Sequence, residues 1–529
     1  MRIGVIRGTD ALESLKETWD AVYAADPEAH IFLSRAWLDA WLDTYRSPWF
    51  VLAAQPEPGA PYVAFLPLRI RVRFARPRGF YNEIIFAGDQ FADYNGFLCR
   101  PEWEDAAIPA LAERLRGAFN WAELRLDNWR VSDRRRRLFL RAFDRVKFRR
   151  HAAPPLIIDG TVDNNACPYA DLPDDWDAFL ATLSANNRQK ARRLLRKTDA
   201  GGAFRITVAN AETYERDLTR LLDLWRARWA GRKGRLTGPI VDRNFSVLRQ
   251  VAEQGQLFLP TFWRGDEAVA ALATLIDPVK RRYLFVITGR DETFDDIPAG
   301  FLLHAYSIRH AIAHGIRTYD FLRGDEPYKY AFASQESRIG TLTISTRSRR
   351  NLTGAMERRS LRSMMEQARA LADGHHLAGA ELAYRQILEL APDDALALYR
   401  FGLVLAARGD HAGARRALKR SVEIAPQGDN AWFALATAHE ALGDLPAALA
   451  AARRTLDIQP ANAIAANMVW RLDRRGDAPA PMLRPPRTSA LADLSAFNKA
   501  VFDPGPRVAL DMAALGDPPK MTPRGRGAR

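Results

Sequence analysis

Cysteine is nearly missing from this chain: Cys99 and Cys167 are the only two in 529 residues. That excludes a secreted disulfide scaffold, and no CxxC or Cys/His cluster points to structural zinc. His310 and His314 share a helix face, but HxxxH without a nearby acid is a weak metal signal. No window approaches the ~18 uninterrupted apolar residues of a membrane span. The first residues, MRIGVIRGTDALESLKETWD, are charged early and hold no apolar stretch of secretory type. A cytoplasmic protein is expected. Serine-hydrolase, Walker and Rossmann patterns are also missing, so the short Gly-Asp and Arg-Gly-Asp stretches read as turns.

What is present is ample apolar residue, 47 %, and a formal net charge of +14. The first predicts that most of the chain folds. The second favours anionic partners: nucleic acid, phosphorylated co-substrates, acidic glycans or anionic lipid. A length of 529 residues predicts about three units, because single domains hold ~100–200 residues.

The C-terminal part repeats. Pro392, Pro426 and Pro460 recur every 34 residues, as do Ala380, Ala414 and Ala448, and Met364, Leu398 and Trp432. That period, with small residues at fixed places and a closing Pro, is the signature of tetratricopeptide helix pairs. About three repeats over 361–475 are expected, as a platform for a protein partner. Beyond them, 476–529 is rich in Pro and Arg and is expected to be mostly disordered around one short amphipathic stretch, ALADLSAFNKAVF.

Residues 1–345 read as mixed α/β. Helical periodicity marks SRAWLDAWLDTYR, DDWDAFLATLSANNRQKARRLLRK and AETYERDLTRLLDLWRARWAG. Strand-like runs include WFVLAAQ, PYVAFLPLRIRVRF, WAELRLDNW and RRYLFVITG. Arg264-Gly265-Asp266-Glu267 reads as a hairpin turn. Two similar halves are expected, 1–165 and 166–345, each with a hairpin, a helix and a further strand. Two runs are strongly basic. RVSDRRRRLFLRAFDRVKFRR reads as a solvated amphipathic helix. The helix over 184–197 carries Arg188, Lys190, Arg192, Arg193, Arg196 and Lys197 with no acid among them. It reads either as a solvated face or as a clamp for a polyanion.

One stretch stands out: TYDFLRGDEPYKYAF, from Thr318 to Phe332. It begins as a buried strand and breaks into charge. A hairpin needs only Gly and one polar residue at such a place. Asp320 falls mid-strand among apolar residues. Its carboxylate is expected to pair with Arg323 or Lys329, or to be poised by burial as a base. The other expectation is a salt-bridge network that merely fixes the end of the sheet.

The spacing Asp320, Phe321, Gly324, Tyr328 and Lys329, together with the element order before it, resembles the acetyltransferase-like domain of the FemAB and CelD-like group within the GNAT superfamily. The resemblance covers 170–345 well and 1–165 weakly. It implies tandem GNAT-like α/β (α+β) domains, followed here by an all-α tetratricopeptide solenoid and a disordered tail. It also implies transfer of an acyl group from acyl-CoA, such as acetyl-CoA, to an amine or hydroxyl. The acceptor implied is a polysaccharide, a lipid-linked sugar or a cell-envelope precursor. Transfer from aminoacyl-tRNA is one alternative, and a non-catalytic adaptor with a degenerate transferase domain is the other. In these terms Asp320 and Glu326 are candidate bases, and Tyr328 a proton donor to a leaving thiolate. Lys329, Arg188 and Arg192 would neutralise donor phosphates. Pro298 and Gly300 would open a helix whose N-terminus receives them. The loop before that helix lacks the Gly-rich, Arg-started pattern of typical GNAT pyrophosphate loops, and Asp295 and Asp296 precede it.

Overall fold

The computed structural model describes residues 1–44, 48–88, 92–233 and 237–474. The tail expected to be disordered over 476–529 lies outside the described residues. Two compact units divide the chain, one reaching Met364 and one holding the helical repeats from Met365 onward, apart from a short stretch of 389–391.

The first unit contains two mixed sheets. One runs Arg2–Ile6, Trp49–Gln55, Ala64–Ala75, Gly79–Phe86, Glu123–Trp129, Gly340–Thr346, Phe148–Ala152 in spatial order. The other runs Phe204–Val208, Pro260–Arg264, Glu267–Asp277, Arg282–Arg290, Thr318–Asp320, Ala166–Asp171, Gln335–Arg338. Each holds one parallel pair, Gly79–Phe86 with Glu123–Trp129 and Arg282–Arg290 with Thr318–Asp320. Parallel strands need a crossover, and helices Glu104–Ala118 and Ala299–Ala313 supply the two. The Arg264–Glu267 turn closes the expected hairpin, with Gly265 at φ 55°.

A boundary at 165/166 does not separate the sheets. Gly340–Thr346 returns to the first sheet, where it pairs with Glu123–Trp129 and Phe148–Ala152. Ala166–Asp171 fills the matching place beside Thr318–Asp320 in the second. The alternation of Leu342 and Ile344 marks a strand but not its sheet, since period 2 says nothing of partners. The basic run over 130–150 also departs from expectation. Its helix stops at Leu140, because the Asp144 carboxylate accepts from the Val146 and Lys147 amides and turns the chain into strand Phe148–Ala152.

Packing follows the apolar pattern. Phe50, Leu52 and Leu66 meet Ile108, Leu111 and Leu115 of the first crossover helix. Leu272, Tyr283 and Phe285 meet Leu302, Leu303 and Ile308 of the second. A third core is shared: Trp19, Trp37, Phe65 and Tyr94 from the first half join Leu221, Leu248 and Leu284 from the second. Each such side chain, fully buried, contributes ~1.5–3 kcal/mol. The halves are therefore one folded body.

The repeat unit consists of paired helices, Leu361–Asp373 with Leu377–Leu390, Ala395–Ala407 with His411–Ile424, and Asp429–Ala441 with Leu445–Ile458, then Ala463–Asp473. Ala380, Ala414 and Ala448 are fully buried. The periodic prolines follow the ends of the second helices, and Asp394, Asp410, Asp444 and Asn462 cap helix N-termini with side-chain oxygens.

Candidate functional site

Thr318–Asp320 is a short central strand, and its register places Asp320 opposite Tyr169 and beside Leu284. Asp320 is buried. Its Oδ1 accepts from the Tyr94 hydroxyl at 2.8 Å and from the Leu322 amide at 2.8 Å. The second bond, two residues along, is an Asx turn. It holds Leu322 at φ 56°, a left-handed conformation costly for a side chain with a Cβ. The expected pairing of Asp320 with Arg323 or Lys329 is thus replaced by a hydroxyl from the other half and a backbone amide.

The charged residues that follow are mostly engaged. Arg323 Nε donates to the Asn164 carbonyl at 3.2 Å, and its guanidinium lies 3.9 Å from Asp93. Asp325 accepts from the Asp163 amide at 2.7 Å. Lys329 is buried, with its ammonium donating to the carbonyls of Arg323 at 2.6 Å and Gly324 at 3.0 Å. Glu326 lies 2.9 Å from the same ammonium and keeps 38 % of its side chain exposed. Gly324 sits at φ 99°, a backbone conformation that strains any residue with a Cβ. Lys329 is therefore a clip that closes the loop and not a free cation.

Besides Glu326, two further groups in this corner remain open to a ligand, Tyr328 and Asp93. Tyr328 is 47 % exposed and stacks on the buried His304 ring, centroids 5.8 Å apart. Burial and the Glu326 charge push its phenol above the usual range, offset in part by Arg228. It stays protonated, so its hydroxyl is a hydrogen-bond donor. Asp93 keeps 35 % exposure yet is crowded enough that desolvation raises its carboxyl above the usual range. Arg323 and Lys329 pull that shift back, and Asp320 and Glu326 add to it. A partly exposed carboxylate of raised basicity is suited to take a proton. Beneath them, His304 Nδ1 lies 3.0 Å from the Tyr319 hydroxyl, and burial and the Lys329 charge depress its pKa to about 3. His304 is neutral at physiological pH.

The basic helix and the second crossover helix reach the same place. Asn187 donates to the Ala331 carbonyl at 3.2 Å, Phe301 packs on Phe332 with centroids 4.6 Å apart, and Lys190 stands 4.4 Å over the Phe301 ring. Pro298 is the N-cap of helix Ala299–Ala313. A Cβ at Gly300 would meet open space, so that first turn is accessible. Arg188 and Arg192 are less free than expected. The Arg188 guanidinium folds back onto the Leu183 carbonyl at 3.1 Å, and Arg192 pairs with Asp177 at 2.9 Å. A cavity of about 480 Å³ bounded by Lys16, Tyr23, Arg35, Gln254 and Asp277 lies where the halves meet, and no residue of the 318–332 stretch lines it.

Sequence reasoning missed Asp93 and Tyr94. They lie 226 residues or more from Asp320, in a loop without periodicity, and only the pairing of the halves brings them in.

Residues 185–330 match the family model described as an acetyltransferase (GNAT) domain. No curated protein sequence matches the chain. Among solved structures, that of FemX is similar at 11 % identity and a TM-score of 0.45, covering 64 % of this chain and 96 % of that one. A conserved protein of unknown function from Bacteroides thetaiotaomicron is similar at 11 % identity and a TM-score of 0.38, over 65 % of this chain and all of that one. The repeat region is similar to the first tetratricopeptide domain of Spaghetti (RPAP3), bound there to an HSP90 peptide. The identity is 15 % and the TM-score 0.23, over 23 % of this chain and 98 % of that one.

Proposed function

We propose that residues 1–345 form an acyltransferase that moves an acyl group from acyl-CoA, acetyl-CoA being the simplest, to an amine or hydroxyl. The repeats over 361–475 would bind a protein partner. The observation that supports this most is the acetyltransferase match at 185–330. Its basic helix, crossover-helix start and Asp320–Lys329 loop all converge on one corner. A polysaccharide, lipid-linked sugar or cell-envelope precursor is the acceptor class the family resemblance favours.

When bound, acyl-CoA supplies the activated carbonyl. The open first turn at Pro298 and Gly300 would receive the donor's phosphates on free N–H groups. Asp93 would take the proton from the acceptor nucleophile, and Tyr328 would give one to the departing sulfur. Asp320 would act through the loop it holds, as a positioning residue.

Calorimetry with acetyl-CoA tests this. Saturable binding is expected, weakened about tenfold or more in a folded Gly300→Trp variant, which adds bulk at a position where a Cβ meets open space. Asp93→Asn is expected to lower turnover about a hundredfold with the fold intact. One observation favours a second reading. Lys329 and Glu326 form an ion pair within the loop at 2.9 Å, as in a structural latch. Absence of any acyl-CoA binding would select the non-catalytic adaptor.

A further inference from the structure

The stretch 141–152 holds one carboxylate, Asp144, among five cations, and 345–352 holds three arginines and no acid. The fold puts the two side by side. Strand Phe148–Ala152 pairs with Gly340–Thr346, setting Arg149 opposite Ser345. The Arg347 amide donates to the Lys147 carbonyl at 3.1 Å, and its guanidinium to the Arg145 carbonyl at 2.7 Å. Arg145, Lys147 and Arg149 on one side and Arg347, Arg349 and Arg350 on the other are all exposed.

One carboxylate, Asp144, faces these cations, and the Lys147 charge acts on it. None of the six forms an ion pair among the described residues. The Asp144 carboxylate is spent on the amides of Val146 and Lys147. Neighbouring Arg150 feels the excess: burial lowers its pKa first, and the Arg145 charge lowers it further. Concentrated charge of one sign at an edge costs self-repulsion, which an anionic partner removes.

Each stretch also carries an exposed aliphatic side chain. Val146, between Arg145 and Lys147, is 79 % exposed, and Leu352 is exposed just beyond Arg350. No Phe, Tyr or Trp side chain is exposed in either stretch, where the one exposed ring is the imidazole of His151. Single-stranded nucleic acid is gripped by aromatic platforms beside its cations. Cations next to exposed aliphatic side chains suit the headgroup layer of a bilayer instead. No helix among the described residues is long and apolar enough to cross a membrane, so the contact would be peripheral.

We propose that this corner docks the protein on the surface of an anionic lipid bilayer, with Arg and Lys on the phosphates and Val146 and Leu352 in the headgroup layer. The full chain is tested by sedimentation with phosphatidylcholine vesicles, alone or containing about a third phosphatidylglycerol. Binding only to the anionic vesicles is expected, reduced about tenfold or more in Arg145→Glu/Lys147→Glu/Arg149→Glu and in roughly 0.5 M salt. Arg349→Glu/Arg350→Glu, on the other turn, repeats the test should the first variant unfold. Val146→Asp should weaken binding while thermal melting stays unchanged. No binding to anionic vesicles, equal binding to phosphatidylcholine alone, or full binding by both charge-reversal variants would overturn the proposal. So would displacement from vesicles by an RNA oligonucleotide that binds more tightly, which would mark a nucleic-acid surface.

Discussion

The Tyr94 hydroxyl donates to Asp320 at 2.8 Å across the junction of the two halves. It is one of two donors to a buried carboxylate, and it ties the first half to the loop that carries Glu326, Tyr328 and Lys329. The bond also shifts Tyr94: burial, then the Asp320 charge, raises its phenol well above the usual range.

Tyr94→Phe should destabilise the protein by about 1–3 kcal/mol, because a buried acceptor loses a partner. Chemical denaturation of Tyr94→Phe, Asp320→Asn and the double variant measures the coupling. A double variant whose loss equals the sum of the singles would show that the bond carries no energy of its own.

Lys329→Met should act on the fold before it acts on any reaction. The ammonium satisfies two carbonyls and Glu326 from a buried position. Its removal is expected to cost about 3–5 kcal/mol. A melting temperature equal to that of the parent would place Lys329 outside the loop's support.

Gly289→Ala should destabilise by about 1–3 kcal/mol, as overpacking does. A Cβ there would stand 2.5 Å from the Leu221 carbonyl oxygen and 2.8 Å from the Trp225 amide nitrogen. Both are backbone atoms of helix Tyr214–Lys233 and cannot swing aside. Denaturant titration reads the effect, and a neutral result would mean that the helix can retreat from the strand.

Stability should fall as pH drops from about 6.5 towards 3. His304 has a folded pKa of about 3 against an ordinary value near 6.5. Between the two values the unfolded chain holds the proton and the folded chain does not. The slope from this one residue reaches about 1.4 kcal/mol per pH unit. His310, at about 4, adds in the same direction. Stability curves of the parent and His304→Gln should therefore converge on acidification. Parallel curves would mean that His304 binds its proton equally in the folded and the unfolded chain.

Much of this was legible locally. The 34-residue period gave the repeat helices because stacking requires small residues where helices touch, and Ala414 and Ala448 are where it put them. Strand alternation located the hairpins, and Pro298 with Gly300 located the start of the crossover helix. The charged loop was legible as a special place but not as a mechanism. Lys329 looks solvent-facing in sequence, since burial of a lysine depends on which carbonyls meet its ammonium, and that is decided by the fold of Arg323 and Gly324.

The sequence by itself determined the periods, the helix caps and the residues that must leave water, because these depend on neighbours a few positions away. Only the tertiary structure decided that Gly340–Thr346 completes the first sheet, that Tyr94 holds Asp320, and that Asp93 stands at the mouth of the same corner. It also brought Arg145 and Lys147 against Arg347. Such pairings join segments that are hundreds of residues apart. What selects them is the shared burial of Trp19, Tyr94, Leu248 and Leu284 in one core, a property of the closed chain that no local window contains.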